Sequence, residues 1–208
     1  MTTKVDLKRD LREVYTATRR PQLVTVPELR FLMIDGHGDP NTAPAYAEAV
    51  QSIYAVAYAA KFIVKKAPGG IDFAVMPLEG LWWSSDMSAF TTDDKSVWDW
   101  TMMIAQPDQV TPEVAKQAQA TAAKKGLAAI DRVRLEPFTE GLAAQIMHIG
   151  PYSAEGPTIR MLHEFIADQG YERSGKHHEI YLGDPRRSSP EKMKTIVRQP
   201  VVLASTRR

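Results

Sequence analysis

Cysteine is absent from the 208 residues. That removes disulfides, a thiolate nucleophile and any thiolate-ligated metal site together. Charge of one sign is also lacking: 26 Lys+Arg against 25 Asp+Glu leave a formal net charge of +1. No nucleic-acid or anionic-lipid partner is expected from so weak a field. Histidine numbers five, with no His-Glu-x-x-His or His-x-His pair, so neither a metal nor another cofactor is expected. Long apolar runs are missing: the stretch 43–64 is broken by Glu48, Gln51, Ser52 and Lys61, and the first fifteen residues alternate charge with single apolar residues. Neither a membrane span nor a signal peptide fits, and a cytoplasmic monomer or homodimer is the expectation. Gly36-His37-Gly38 is too short for a phosphate loop, and no Ser/His/Asp set carries a nucleophile-elbow sequence.

What is present is an ordinary globular composition with 44% apolar residues, enough to bury one large domain or two small intimate halves. An N-terminal arm, 1–20, places Leu7, Leu11 and Val14 on one face of a short helix closed by Arg19-Arg20-Pro21. The body, 21–208, then runs strand, helix, strand, strand twice over. In the first half, about 21–107, strand-like residues 22–26 and 29–35 end at Gly36-His37-Gly38. A long helix with Tyr46, Val50, Ile53, Tyr54, Ala57 and Val64 at helical spacing follows, and Pro68-Gly69-Gly70 stops it. Strands leading into Trp82-Trp83 and running from Trp98 to Ile104 flank a polar loop, 84–96. Thr111-Pro112-Glu113 opens a linking helix near 111–125. In the second half, about 130–205, strands at 132–136 and 142–149 precede a helix begun by Pro157. Strands at 177–182 and 194–203 follow, with a Gly183-Asp184-Pro185 turn between them. Met33-Ile34 running into Gly38 matches Ile146-Met147 running into Gly150, and Thr101 to Pro107 resembles Thr195 to Pro200. The expectation is an α+β fold of duplicated strand–helix–strand–strand units with pseudo-twofold symmetry, whose antiparallel sheets enclose a central ligand cleft.

Two signals carry chemistry. Trp82, Trp83, Trp98 and Trp100 fall within nineteen positions, more indole than one such sheet needs for its core. At least one is expected to line a pocket as a flat apolar wall, the rest being core. The run His177-His178-Glu179-Ile180-Tyr181-Leu182 projects His177, Glu179 and Tyr181 to one side of a strand. Glu179 and Tyr181 then stand about 7 Å apart along the strand, either on a cleft wall or on a solvated sheet face. Tyr54 and Tyr58, one helical turn apart, and Tyr152 are further candidates for ligand contact or packing. His163 reads as a satisfied core histidine, and 184–191 as a solvated charge cluster.

Pro77-Leu-Glu-Gly-Leu-Trp-Trp83, Trp98-x-Trp-x-Met-Met-Ile-x-Gln-Pro-Asp108, His178-Glu-Ile-Tyr-Leu-x-Asp-Pro-Arg-Arg187 and Lys194-Thr-Ile-Val-Arg-Gln-Pro-Val201 resemble the GyrI-like small-molecule-binding proteins. More narrowly they resemble the stand-alone branch of cyclopropanoid cyclopropyl hydrolases. The likeness covers about residues 20 to 205. It implies an aromatic pocket with Glu179 on its wall, and a hydrophobic aromatic small molecule as partner. In the hydrolase branch that molecule is a flat DNA-alkylating natural product, detoxified when water opens its cyclopropane. Multidrug-sensing relatives use the matching acid to hold cationic aromatic drugs, so a non-catalytic binder or sensor is the alternative reading, and a gyrase-protecting partner a third. A DNA-binding regulator is not expected, since only about 25 residues precede the body. The hydrolytic reading needs flat walls, a base or orienter for water at Glu179, and a donor for the oxygen that gains charge, at Tyr181, Tyr54 or Tyr152. Burial is expected to raise the Glu179 pKa.

Overall fold

The computed structural model describes residues 3–84, 95–183 and 188–205. The chain forms β1 (Thr3–Val5), α1 (Leu7–Asp10), α2 (Arg12–Tyr15), β2 (Gln22–His37), α3 (Pro44–Lys66), β3 (Ile71–Phe73), β4 (Leu78–Trp83) and β5 (Asp99–Gln106). There follow α4 (Pro112–Ala123), β6 (Arg134–Ile149), α5 (Gly156–Asp168), β7 (Tyr171–Arg173), β8 (His177–Tyr181) and β9 (Lys194–Leu203). These elements make two compact units, 1–10 with 29–138 and 11–28 with 139–208. Most of the expected 84–96 loop and the 184–187 part of the charge cluster lie outside the described residues.

Several elements differ from the sequence reading for local reasons. The expected N-terminal helix is two short turns broken at Leu11 (φ −107°, ψ 39°). The interrupted strands at 22–35 and 132–149 are each one strand of 16 residues. Pro27 and Pro137 do not end them, because both are exposed and an extended backbone at a solvent-facing position needs no N–H. The short β1, β3 and β7 carry too little periodicity to be legible; β1 pairs in parallel with β3.

In the first unit β5 lies between β2 and β4, antiparallel to both. The period-2 pattern of 98–105 suggests two unlike faces, but Trp100 to Gln106 are all buried, as a central strand requires. Directly opposed residues share a face, so Gly36, Trp100 and Trp82 form one row and Ile34, Met102 and Gly80 the next. Tyr46 of α3 covers the first row, its ring centroid 5.3 Å from Trp100 and 6.1 Å from Trp82. Trp100 also donates its indole N–H to the Gly38 carbonyl at 3.2 Å. Gly36 is glycine because the Trp100 ring occupies its side-chain space: a Cβ there would sit 2.0 Å from Cη2. Gly36→Ala is therefore expected to destabilise the protein by roughly 1–3 kcal/mol through overpacking. Urea unfolding checks this; adding Trp100→Phe, which removes the outer ring, should return part of the loss.

In the second unit β9 pairs with β6, β7 and β8, antiparallel throughout. The α5 face of this sheet is a core of Ala144, Ile146, Leu162, Ile166, Val197 and Val201. The opposite face is closed by residues 11–18, where Tyr15 is fully buried. Gln145 donates to the carbonyls of Glu13 and Thr16 at 2.9 and 3.0 Å, and the Met147 backbone N–H donates to the Thr18 carbonyl at 2.7 Å.

The strand registers define the repeat. Gly38 and Gly150 have φ of 99° and 140°, and each lies two residues beyond a paired position, Gly36 opposite Trp100 and His148 opposite Thr195. Trp100, not Thr101, is thus the counterpart of Thr195. One strand over, Trp82 corresponds to Tyr181 and Gly80 to Glu179.

Candidate active site

Glu179 opposes Val197 across β8 and β9, and Val197 belongs to the core beneath α5. The carboxylate therefore lies on the helix-covered face, with only 14% of its side chain exposed. A solvated sheet face is the wrong description. Two neighbours on the same side of β8 hold it: His177 Nε2 donates to Oε1 at 3.1 Å and the Tyr181 hydroxyl donates to Oε2 at 2.8 Å. The period of a strand places these three side chains together; the hydrogen bonds close the gap left by the backbone spacing.

Desolvation pushes the Glu179 pKa up, but hydrogen bonding and charge at His177, then hydrogen bonds from Tyr181 and Glu155, outweigh it and hold the carboxyl below its ordinary range. The expectation of a raised pKa is overturned, because it counted burial without the donors that burial brings. Glu179 is therefore an ionised hydrogen-bond acceptor at neutral pH.

Around it, the half-exposed Tyr152 ring meets Tyr181 edge-on at 5.4 Å. Glu155, 5% exposed, stands at the start of α5. His148 accepts from or donates to Thr158 through Nδ1 at 2.9 Å and contacts the Pro151 carbonyl through Nε2 at 3.2 Å, fixing the turn that carries Tyr152 and Glu155. His163 is a neutral histidine, though not the satisfied one expected: burial, then the charges of Arg173 and His177, lower its pKa to about 4, Arg173 donates to its Nδ1 at 3.2 Å, and its buried Nε2 has no hydrogen-bond partner among the described residues.

In the first unit the position matching Glu179 is Gly80. A Cβ at Gly80 would lie 2.7 Å from both Met102 Cε and Trp82 Nε1, so the packed indole occupies that place. Of the four tryptophans, Trp82 and Trp100 are buried, while Trp83 and Trp98 are partly exposed; Trp98 meets Trp82 edge-on at 5.8 Å. Tyr54 and Tyr58 stack at 6.5 Å on α3. Tyr58, 49% exposed, lines a shallow groove with Phe62, Ala59 and Ala122.

Sequence reasoning missed Glu155, an isolated acid in a turn, and the pair that explains His178. His178 sits on the far face of β8, where its Nδ1 donates to Glu140 Oε1 at 2.9 Å. Arg198 donates to Glu140 Oε2 at 2.9 Å and to Gln145 Oε1. Glu140, 1% exposed, is pushed up by desolvation, but the charges and hydrogen bonds of His178 and Arg198 take its pKa down to about 2. This set is structural. Among the described residues no group of three or more His, Asp or Glu is placed to hold a metal, and no helix is long and apolar enough to cross a membrane.

The chain is of the α+β class, its larger pairings antiparallel, with a buried carboxylate beside tyrosines. Residues 19–200 match the sequence model of the GyrI-like small molecule binding domain, and the chain belongs to that family. It is similar to an uncharacterized conserved protein from Listeria innocua, 44% identical with TM-score 0.88, over 95% of this chain and 100% of that one. It is also similar to two structures described as hydrolases from Listeria innocua. One is 43% identical with TM-score 0.86 over 96% of this chain and 100% of that one, the other 41% identical with TM-score 0.82 over 95% and 100%. No curated protein sequence matches.

Proposed function

We propose that this protein binds flat, hydrophobic aromatic small molecules and hydrolyses the cyclopropane of DNA-alkylating compounds, a detoxifying reaction. The observation that carries the reading is the buried, ionised Glu179 gripped by His177 and Tyr181; the hydrolase description of the two Listeria relatives supports it. In a cyclopropane conjugated to a dienone, water attacks the ring methylene, the strained C–C bond breaks, and its electron pair leaves the dienone oxygen as a phenolate. Glu179 orients the water and accepts its proton, and Tyr152, or Tyr181 once its hydroxyl turns from Glu179, donates toward the oxygen. Of the first unit's tryptophans, Trp83 and Trp98 carry partly exposed indoles able to contact an aromatic ligand, while Trp82 and Trp100 are buried; Tyr54 and Tyr58 are weaker candidates.

A second reading is favoured by the lowered Glu179 pKa: an ionised, partly desolvated carboxylate is also a countercharge for a cationic aromatic drug, held without turnover. Incubation with a duocarmycin-type cyclopropane followed by mass spectrometry decides between them. Gain of one water is expected; tight binding of cations with no water gain would favour the binder. Quenching of tryptophan fluorescence by the same compound, abolished in Trp83→Phe or Trp98→Phe, checks the aromatic assignment separately.

A further inference from the structure

The Glu179 carboxylate has an enclosed side and an open side. Oε1 accepts from His177 Nε2 at 3.1 Å, and the His177 side chain is only 8% exposed. Oε2 accepts from the Tyr181 hydroxyl at 2.8 Å. Tyr181 is partly exposed, and the Tyr152 ring that meets it edge-on at 5.4 Å is 40% exposed. A molecule arriving from solvent therefore meets the Oε2 side. Each carboxylate oxygen has two lone pairs, so Oε2 can accept from a water beside the Tyr181 hydroxyl or in its place. Of the other titratable groups on the elements packed here, His163 of α5 accepts from Arg173 of β7 at 3.2 Å. His148 of β6 is held by Thr158 and the Pro151 carbonyl. Glu155, buried at the start of α5, is itself an acid, and Arg160, Glu164 and Asp168 of that helix are exposed. The nitrogen donor on Glu179 is thus His177.

We propose that His177 is the positioning residue of the hydrolytic site: by holding Oε1 on the enclosed side it fixes the carboxylate plane, so that Oε2 is the atom that takes the proton of water. This deepens the hydrolytic reading and rests on it. The terminal torsion of a glutamate is broad, and a carboxylate tethered at one oxygen only would turn away from the attacking water. In the step itself the water oxygen bonds to the ring methylene as the C–C bond breaks, and one water proton goes to Oε2. The electron pair of the broken bond reaches the dienone oxygen, which then takes the proton from Oε2 and becomes a phenol. The net change is addition of one water, and His177 neither gains nor loses a proton.

The test uses the full chain, its His177→Gln and His177→Asn variants, and the duocarmycin-type cyclopropane. Both variants carry a neutral amide, but the glutamine nitrogen stands as many bonds from Cα as imidazole Nε2, while the asparagine nitrogen stands one bond short. His177→Gln therefore keeps the donor on Oε1 and His177→Asn loses it. Turnover in His177→Asn is expected to fall roughly 10²-fold, the cost of a misplaced reacting group, while His177→Gln stays within about tenfold of the wild type, and KM changes little in either. A second readout needs no substrate: infrared titration of the Glu179 carboxylate, identified by its loss in Glu179→Gln. Its midpoint lies below the ordinary glutamate range in the wild type and should rise in His177→Asn, where burial remains without the donor. Equal kcat in the two variants, or a midpoint unmoved in His177→Asn, overturns the positioning role alone. Failure of the wild type to add water sinks the hydrolytic reading and the role with it.

Discussion

Glu179→Gln is expected to lower turnover of a cyclopropane substrate by roughly 10²–10⁴-fold while leaving affinity for the neutral compound nearly unchanged. The amide keeps the length and volume of the carboxylate, so packing beneath α5 survives, but it cannot accept a proton from water. It also meets His177 and Tyr181 differently, since the hydrogen bonds at 3.1 and 2.8 Å both run to carboxylate oxygens. If the site instead holds cations without chemistry, the same change removes their countercharge, and cation affinity should drop by roughly 2–5 kcal/mol. Steady-state kinetics with the cyclopropane, and calorimetry with a neutral and a cationic aromatic, measure all three quantities. A variant unchanged in each would remove Glu179 from the site. Because burial is outweighed by donors, the catalytic acid limb should lie below the ordinary glutamate range rather than above it.

The second large effect falls on stability. Arg198→Met leaves Glu140 as a charge at 1% exposure and abandons Gln145 and the Val14 carbonyl, to which Arg198 also donates. Removing one partner of such a buried pair costs roughly 3–5 kcal/mol. For a chain of this size that lowers Tm by roughly 10–15 °C, readable in a thermal scan. A loss within one degree would show the network to be dispensable. The same network sets acid stability. The folded pKa of Glu140 is about 2 against an ordinary 4.5, so its contribution, about 3 kcal/mol, is complete above the unfolded pKa and fades as pH falls toward 2. Wild-type stability should therefore decline through this window, and Glu140→Gln should start lower and decline less.

The two carboxylates show where sequence and structure divide. Glu179 was legible because a strand alternates: once 177–182 reads as a strand, His177, Glu179 and Tyr181 must share a side. The same rule put His178 with Ile180 and made it an anomaly. Its partner Glu140 lies 38 positions before it on β6, and the Arg198 that shares Glu140 lies on β9, so no local period connects them.

The sequence by itself determined the order of the longer elements of both halves, strand, helix, strand, strand, without the short β3 and β7, since helical and strand periods, Pro at helix starts and Gly at strand ends are local properties. It also determined that Glu179 and Tyr181 act as neighbours. Only the tertiary structure decided that this face lies under α5 rather than in solvent, that Glu155 is buried at the start of α5, and that the pKa of Glu179 falls instead of rising. Cross-strand register decided which half carries the acid: Gly80 occupies the matching position because the Trp82 ring and Met102 fill it. Those outcomes depend on which distant residues meet, and a buried group's charge is set by the donors that arrive with its neighbours, not by its place in the chain.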